Sequence, residues 1–310
     1  MSPIIDDKSE HCIPFILERI KTHRQRYEAQ GDTPPPFFVG LNGVQGAGKT
    51  TLVTTLSKTL SSPPYSLPTV VLSIDDLYLP HIEQEALAKS HPSNPLVQHR
   101  GQPSTHDITL GTALFDALSS RKHNIKLPSY DKSAFCGTGD RRPESEWETV
   151  NADSKPPVEV VVFEGWCVGF RALSDVAVEQ KWKAAKSDYE SKGDGYLGQL
   201  GKLELEHVLF VNRKLREYDA LTDRFGAFVH IDAEDAQYVY AWRLEQEAAL
   251  RALKGTGMTD AQVVKFVNGY YPAYELYTDV LRQGIFGGEK GKQLWMTVGR
   301  DRKVKDVQII

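Results

Sequence analysis

The segment Gly43-Val44-Gln45-Gly46-Ala47-Gly48-Lys49-Thr50 constrains this chain more than any other stretch. It fits a glycine, four free positions and then Gly-Lys-Ser/Thr, the pattern of a phosphate-binding loop. Phe37-Phe38-Val39-Gly40-Leu41, led in by Pro34-Pro35-Pro36, is a short apolar run that reads as a buried strand. After the loop, Leu52, Val53, Leu56 and Leu60 recur at helical spacing. Strand, loop and helix therefore follow in the order the motif requires. Glycines let backbone N–H groups turn inward, and the helix N-terminus adds a dipole that favours phosphate. Gly43 through Thr51 form the nucleotide-binding set, in which Lys49 offers a mobile charge to the outer phosphates. The Thr50 hydroxyl is placed to ligate magnesium. A glycine-rich turn before an ordinary helix is the competing reading. The motif implies binding of a nucleoside triphosphate, with ATP and Mg2+ as the expected cofactors.

At 310 residues the chain can hold one large α/β domain or two small ones. A formal net charge of −4 argues against general nucleic-acid binding, which needs a basic face. No apolar run approaches the length needed to span a bilayer, so no membrane partner is expected. Asp6, Asp7 and Glu10 follow Met1 with no apolar signal core, which predicts a cytoplasmic address. Cys12, Cys136 and Cys167 are far apart and odd in number, as suits reduced thiols.

Along the chain, Ile13, Ile16, Leu17 and Ile20 predict a helix within an extension at 1–36. Thr69 to Ile74 reads as the second strand and ends on Asp75-Asp76-Leu77-Tyr78. In an open parallel sheet, ligands sit beyond the carboxyl ends of strands, so these carboxylates suit a general base or a magnesium partner. Without the loop upstream they would suit turn chemistry or a helix cap equally well, and with the loop the functional reading is favoured. Strand alternation would turn Asp76 away from Asp75, towards an acceptor hydroxyl or a backbone donor. The polar stretch Ser90 to Asp107 holds His91, His99, Arg100 and His106, whose irregular spacing makes no metal site. Arg100 suits a substrate anion or plain solvation. Leu110, Ala113, Leu114, Ala117 and Leu118 then mark a helix face.

Lys126 to Lys132 and Gly137 to Arg142 mix Gly, Tyr, Asp, Lys and Arg, a composition found around polar ligands. Pro143 to Pro157 reads as an exposed loop. Val158 to Phe163 is a buried strand ending at Glu164-Gly165-Trp166, where P-loop proteins place an acid that serves the magnesium. An ordinary strand-end acid is the alternative. Lys186 to Lys202 reads as a polar insertion, and His207 to Val211 fits either helix or strand. Ala227 to Ile231 and Leu294 to Val298 are the remaining strands. Between them lie a helix carrying Arg243 and a second helix from about Asp260 to Leu281 that Pro272 would kink. Strands alternating with helices imply a single α/β domain of P-loop NTPase fold over 1–310, its five-stranded, mainly parallel sheet flanked by helices.

With these motifs placed, the sequence resembles the P-loop kinases of small metabolites, the group holding uridine kinase, phosphoribulokinase and bacterial pantothenate kinase. Within that group it is most similar to D-glycerate 3-kinase of plants and its fungal ATP-binding kinase-like relatives. The likeness runs from about Phe37 to the carboxyl terminus. Beside the loop, it is carried by Ser73-Ile74-Asp75-Asp76-Leu77-Tyr78-Leu79, Arg100 to Asp107, Leu127 to Ser133, Gly137 to Arg141, Phe163 to Trp166, Trp242 to Glu247, and Tyr271 to Tyr277. The resemblance implies ATP as donor, a mobile helical lid at about 241–259, and a small alcohol, D-glycerate, as acceptor. It also implies that Asp75 takes the proton from the acceptor hydroxyl, that Glu164 serves magnesium, and that Arg243 reaches over the phosphates. An acceptor carboxylate needs cationic contacts, for which Arg100, Lys132 and Arg141 are candidates. Asp76, Tyr78 and Tyr130 complete the expected acceptor set. Three other readings stand beside this one. They are a kinase of another alcohol, such as a nucleoside or a pantothenate-like acid, a switch GTPase, and a nucleotide-binding regulator without catalysis. The GTPase lacks support, because Asn212-Arg213-Lys214-Leu215 is not the Asn-Lys-x-Asp guanine motif.

Overall fold

Every residue from Phe37 to Gly43 is buried, and this continuous run forms β1 at the centre of a six-stranded sheet. A strand covered on both faces needs such a run. The computed structural model describes residues 6–310. In chain order come α1 (Ser9–Glu28), β1, α2 (Lys49–Ser61), β2 (Thr69–Ser73), α3 (His81–Ser90) and α4 (Ile108–Ser119). Four short strands follow, β3 (Ile125–Leu127), β4 (Tyr130–Asp131), β5 (Asp140–Arg141) and β6 (Glu148–Val150). Then come β7 (Val160–Gly165), α5 (Asp175–Lys192), α6 (Leu205–Leu215), α7 (Asp219–Thr222) and β8 (Ala227–Ala233). The chain closes with α8 (Tyr238–Lys254), α9 (Asp260–Gln283), β9 (Gln293–Val298) and β10 (Val304–Ile309).

The sheet order is β10-β9-β8-β1-β7-β2, with all pairs parallel except the β9–β10 hairpin. The carboxyl ends of β1, β2, β7 and β8 therefore open on one edge, where the loops after β1, β2 and β7 meet. The α2 stripe falls where its spacing predicts, with Leu52, Leu56 and Leu60 all 0% exposed. Each such side chain contributes about 1.5–3 kcal/mol by burial.

Several expectations change. The sheet has a sixth strand, because β10 lies on an edge where only Val304 and Val307 are half-buried, so no apolar alternation marks it. Its charged residues suit an exposed edge. Strand β2 stops at Ser73, and Ile74–Leu77 form a 3-10 turn instead of its last residue. His207 to Val211 is helical within α6, which buries His207, Val208, Val211, Asn212 and Leu215. The face of α4 is rotated relative to its predicted stripe. Gly111 lies against Leu77, where a Cβ would come within 2.8 Å of the Leu77 side chain, and Ala113 is exposed. The Pro143–Pro157 stretch is not all loop, because β6 pairs antiparallel with β3. The Lys186–Lys202 stretch begins as the end of α5 and then docks, with Glu275 accepting the Gln199 and Leu200 N–H groups at 3.0 and 2.8 Å. Helices α3 and α5 have weak apolar patterning, with Gln84 and Val178 their only buried residues among those described. Helix α9 spans Asp260–Gln283 with Pro272 inside it, close to its predicted bounds.

Candidate functional site

The loop between β1 and α2 curls because Gly46 and Gly48 adopt left-handed conformations, φ 86° and 95°. L-residues with a Cβ rarely adopt these angles. Gly46 is also packed too closely for a side chain, since a Cβ there would lie 2.5 Å from Cβ of Trp242. Lys49 opens α2 and folds back, its Nζ donating to the carbonyls of Gly43 (2.7 Å) and Val44 (3.4 Å). Burial lowers its pKa, while the Glu164 and Asp75 charges oppose that shift. These three residues thus share one electrostatic field, although they come from α2, the turn after β2, and β7. Thr50 is exposed and Thr51 half-buried in the first turn of α2. Gln45 N–H donates to the Tyr274 hydroxyl at 3.4 Å, and Arg302 Nε donates to the Gly46 carbonyl at 2.9 Å, so α9 and the β9–β10 turn brace the loop. Asn42, at the end of β1, donates to the carbonyls of Trp166 and Val168 and fixes the segment after β7 beside the loop.

Glu164 sits opposite Ser73 of β2 and Leu41 of β1 in the sheet register. Burial pushes its carboxyl pKa up despite the Lys49 charge and a hydrogen bond with Ser73. A half-buried carboxylate whose pKa burial pushes up fits a cation, and the carboxylate and hydroxyl oxygens of Glu164 and Thr50 are donors that suit magnesium. Among the described residues no group of three or more His, Cys, Asp or Glu side chains is arranged to hold a metal. Magnesium in kinase sites needs no such cage, since one or two protein oxygens and substrate phosphates hold it.

Asp75 and Asp76 lie in the 3-10 turn, where the Ser73 hydroxyl accepts the Asp75 N–H at 3.3 Å. Turn geometry separates the two carboxylates, in place of the strand alternation expected. Asp75 Oδ2 accepts from Lys132 Nζ at 2.5 Å, and Oδ1 is buried without a partner. Burial, the largest single influence, opposes its charge, but the Lys132 ammonium together with its other charged neighbours holds Asp75 below the usual carboxylate range. Asp76 Oδ1 accepts the Tyr130 N–H at 3.1 Å, and burial pushes its pKa up to about 6. Asp76 therefore pins the β4–β5 hairpin to the end of β2.

The other acceptor-side residues fall into two groups. Tyr78 is buried, stacked on His106 at 4.3 Å and edge-on to Tyr130 at 5.4 Å. Tyr130 hydroxyl is buried without a partner, and its ring carries the Arg100 guanidinium at 5.7 Å. Arg100, however, is bonded to the carbonyls of Gly137 (2.8 Å) and Thr138. Arg141 pairs with Asp107 at 3.1 Å and donates to the Tyr78 carbonyl at 3.0 Å. Both arginines thus hold the wall together. Of the three candidate cations, Lys132 alone reaches Asp75.

Arg243, on α8, lies over the Phe266 ring at 5.2 Å and donates to Gln246 at 2.8 Å, with Nε buried and unpartnered. Its charge acts on Tyr270 and Tyr274, and Tyr274 touches Gln45, so Arg243 stands beside the loop. Trp242 next to it is 0% exposed and donates to the Arg300 carbonyl at 2.8 Å. Residues 248–250 and 255–257 are exposed, and Glu247 Oε1 ties the turn after α8 by accepting the Met258 N–H at 2.7 Å.

Sequence reasoning gave no role to His106, Trp166 or Tyr270. His106 is buried, its Nδ1 hydrogen-bonded with the Tyr218 hydroxyl at 2.7 Å and its Nε2 unpartnered, and burial lowers its pKa to about 3. Trp166 Nε1 is likewise buried without a partner, and the ring lies edge-on to Tyr270 at 4.8 Å. The signal for these residues was only their place in the Arg100–Asp107, Phe163–Trp166 and α9 segments.

No family model matches the chain. It is 40% identical over 251 residues to an uncharacterized kinase, mug58, of Schizosaccharomyces pombe, covering 81% of this chain and 84% of that one. It is 33% identical over 300 residues to the chloroplastic D-glycerate 3-kinase of Arabidopsis thaliana, covering 94% of this chain but 59% of the plant protein. The solved structure of D-glycerate 3-kinase from Cryptococcus neoformans superposes with a TM-score of 0.86 at 33% identity, over 99% of this chain and 100% of that one. A phosphate cradle, a carboxylate after the second strand and a strand-end acid on one sheet edge suit a phosphoryl-transfer enzyme. Together with these likenesses, they show that the chain belongs to the D-glycerate 3-kinase family of P-loop kinases and is an ATP-dependent small-molecule kinase.

Proposed function

We propose that the acceptor is D-glycerate and that the reaction depends on magnesium. The observation that carries this reading is the Lys132–Asp75 pair at 2.5 Å, which puts a cation for a substrate carboxylate beside a base for a substrate hydroxyl. Lys49 would neutralise charge developing on the transferred group, and Asp75 would take the hydroxyl proton. Glu164 and Thr50 would hold magnesium, which when bound neutralises phosphate charge. Gly43 to Thr51 would bind the nucleotide, with Arg243 reaching its outer phosphates. Tyr78, Tyr130, Arg100 and Arg141 would shape the acceptor wall without meeting its charge directly. The unpartnered Tyr130 hydroxyl fits a neutral group of the substrate.

In this reading 241–259 is the lid, with Trp242 as its anchor and the exposed residues beyond Glu247 as the part that closes. ATP with acceptor should then slow proteolysis between Ala248 and Thr259, and equal cleavage with and without ligands would remove the lid. The chain acts without nucleic-acid or membrane partners, at a cytoplasmic address. No helix among the described residues is long and apolar enough to cross a membrane. The test of function is ADP formation with D-glycerate, glycerol, a nucleoside and pantothenate as acceptors at fixed ATP and magnesium. D-glycerate should give the highest kcat/KM, and a higher value for a neutral acceptor would refute the assignment.

A further inference from the structure

Lys132 occupies the outer oxygen of Asp75, since Oδ1 is buried. Its Nζ lies 2.5 Å from Asp75 Oδ2. An acceptor hydroxyl must come within similar reach of that carboxylate to give up its proton. The backbone on either side of Lys132 is fixed. Asp76 holds Tyr130 N–H at 3.1 Å, Asp131 Oδ1 accepts the Ser133 N–H at 2.9 Å, and Arg141 is bound to Asp107 and the Tyr78 carbonyl. The Lys132 side chain is 57% exposed, against 26% for Asp75, so it covers the carboxylate from the solvent side. The lysine end of this pair is open to solvent, so its ammonium can turn to another anion. Arg100 and Arg141 are committed to fixed partners, so an incoming carboxylate finds Lys132 as the movable cation.

We propose that Lys132 is a charge-operated cover on Asp75, which the carboxylate of the acceptor draws aside so that the base is freed only when an anionic hydroxy acid is bound. The proposal rests on the D-glycerate reading. In the productive reaction the acceptor oxygen bonds to the γ-phosphorus as the bond to the β,γ-bridging oxygen breaks. ADP leaves with that electron pair, and the hydroxyl proton passes to Asp75. With water in place of the acceptor, the same bond changes give ADP and inorganic phosphate. The cover suppresses this loss while no acceptor is bound, and it makes a carboxylate a condition of fast transfer.

The experiment compares the unaltered chain with Lys132→Met, which keeps length without charge, and Lys132→Arg, which keeps charge. Acceptor-free ADP release is measured first, then kcat/KM for D-glycerate and for glycerol, which replaces the carboxylate by a hydroxymethyl group. Removing a close cation raises carboxylate basicity, so Lys132→Met should raise acceptor-free ADP release about tenfold. Loss of a charge-assisted contact should lower the glycerate-to-glycerol preference about 10- to 100-fold. Lys132→Arg should return both quantities towards the unaltered values. ADP release unchanged in Lys132→Met, with only the glycerate KM raised, would overturn the cover and leave Lys132 a simple binding group. If Lys132→Met no longer binds ATP, the unaltered chain decides, because propionate, a carboxylate without a hydroxyl, should stimulate its ADP release. No stimulation would overturn the proposal. Failure of D-glycerate itself as acceptor would instead strike the functional reading, while the hydrolysis measurements still report on the cover.

Discussion

Between Gly43 and Lys49 the site consists of backbone from one short segment, whereas the wall around Asp75 draws on side chains from separate parts of the chain. The loop needs glycine at Gly46 and Gly48 because of positive φ, and Lys49 is already bonded to its carbonyls. The wall brings His106, Tyr130, Lys132, Trp166 and Tyr270 to one end of the sheet and leaves polar atoms of His106, Tyr130 and Trp166 buried without partners. Buried polar atoms are normally satisfied, so unpaired ones on the wall around Asp75 suit a polar ligand. The loop is preorganised for a phosphate chain common to many enzymes. In the proposed reading, the acceptor completes the wall.

The sharpest way to break this contrast is to separate chemistry from nucleotide binding. Asp75→Asn keeps the shape of the carboxylate but is not basic, so turnover should fall by about 10²–10⁴-fold. ATP affinity, measured alongside, should hold. Normal turnover in this variant would remove Asp75 as the base. Lys49→Ala acts on the other side. Losing a charge-assisted contact costs about 1.5–3 kcal/mol, a 10- to 100-fold loss in ATP affinity or in kcat/KM for ATP. Equal rates at limiting ATP would place the catalytic phosphates elsewhere.

Smaller effects test the seam between the two regions. Glu164→Gln removes the charge that fits a cation, so half-saturating magnesium should rise by about tenfold at fixed ATP. An unchanged titration would take Glu164 out of the metal site. Asp76 should matter more to the hairpin than to turnover. Burial pushes its pKa up to about 6, against roughly 3.9 in an unfolded chain. The folded chain therefore binds the proton more tightly, and ionised Asp76 costs stability above a pH of about 6. That cost disappears as pH falls through the window down to about 4. Asp76→Asn retains the oxygen that accepts from Tyr130 and should stabilise the nucleotide-free protein by about 1–3 kcal/mol at neutral pH. A gain that stays constant between neutral pH and a pH of about 4 would refute this account of Asp76.

The same contrast explains what could be read from the residues. The loop, Lys49 and the α2 stripe were legible because one contiguous segment carries strand, turn and helix signals together. Glu164 was legible as the acid after an apolar strand. The exchange of roles among Arg100, Lys132 and Arg141 was not, since all three are basic residues near glycines. Only the packing shows that Gly137 and Thr138 claim Arg100, and that Asp107 claims Arg141. His106 was passed over because an isolated histidine in a polar stretch gives no sign of burial against Tyr78 and Tyr218. Strand β10 escaped because an exposed edge carries no apolar alternation, and α5 because it buries Val178 and little else.

The most direct test is the identity of the product. The unaltered chain is incubated with ATP, magnesium and an equimolar pool of D-glycerate, glycerol, a nucleoside and pantothenate, and phosphorylated species are identified by mass spectrometry. Phosphoglycerate as the dominant product is the predicted result. Another phosphorylated alcohol in its place, or ADP formed with only inorganic phosphate, would contradict the account.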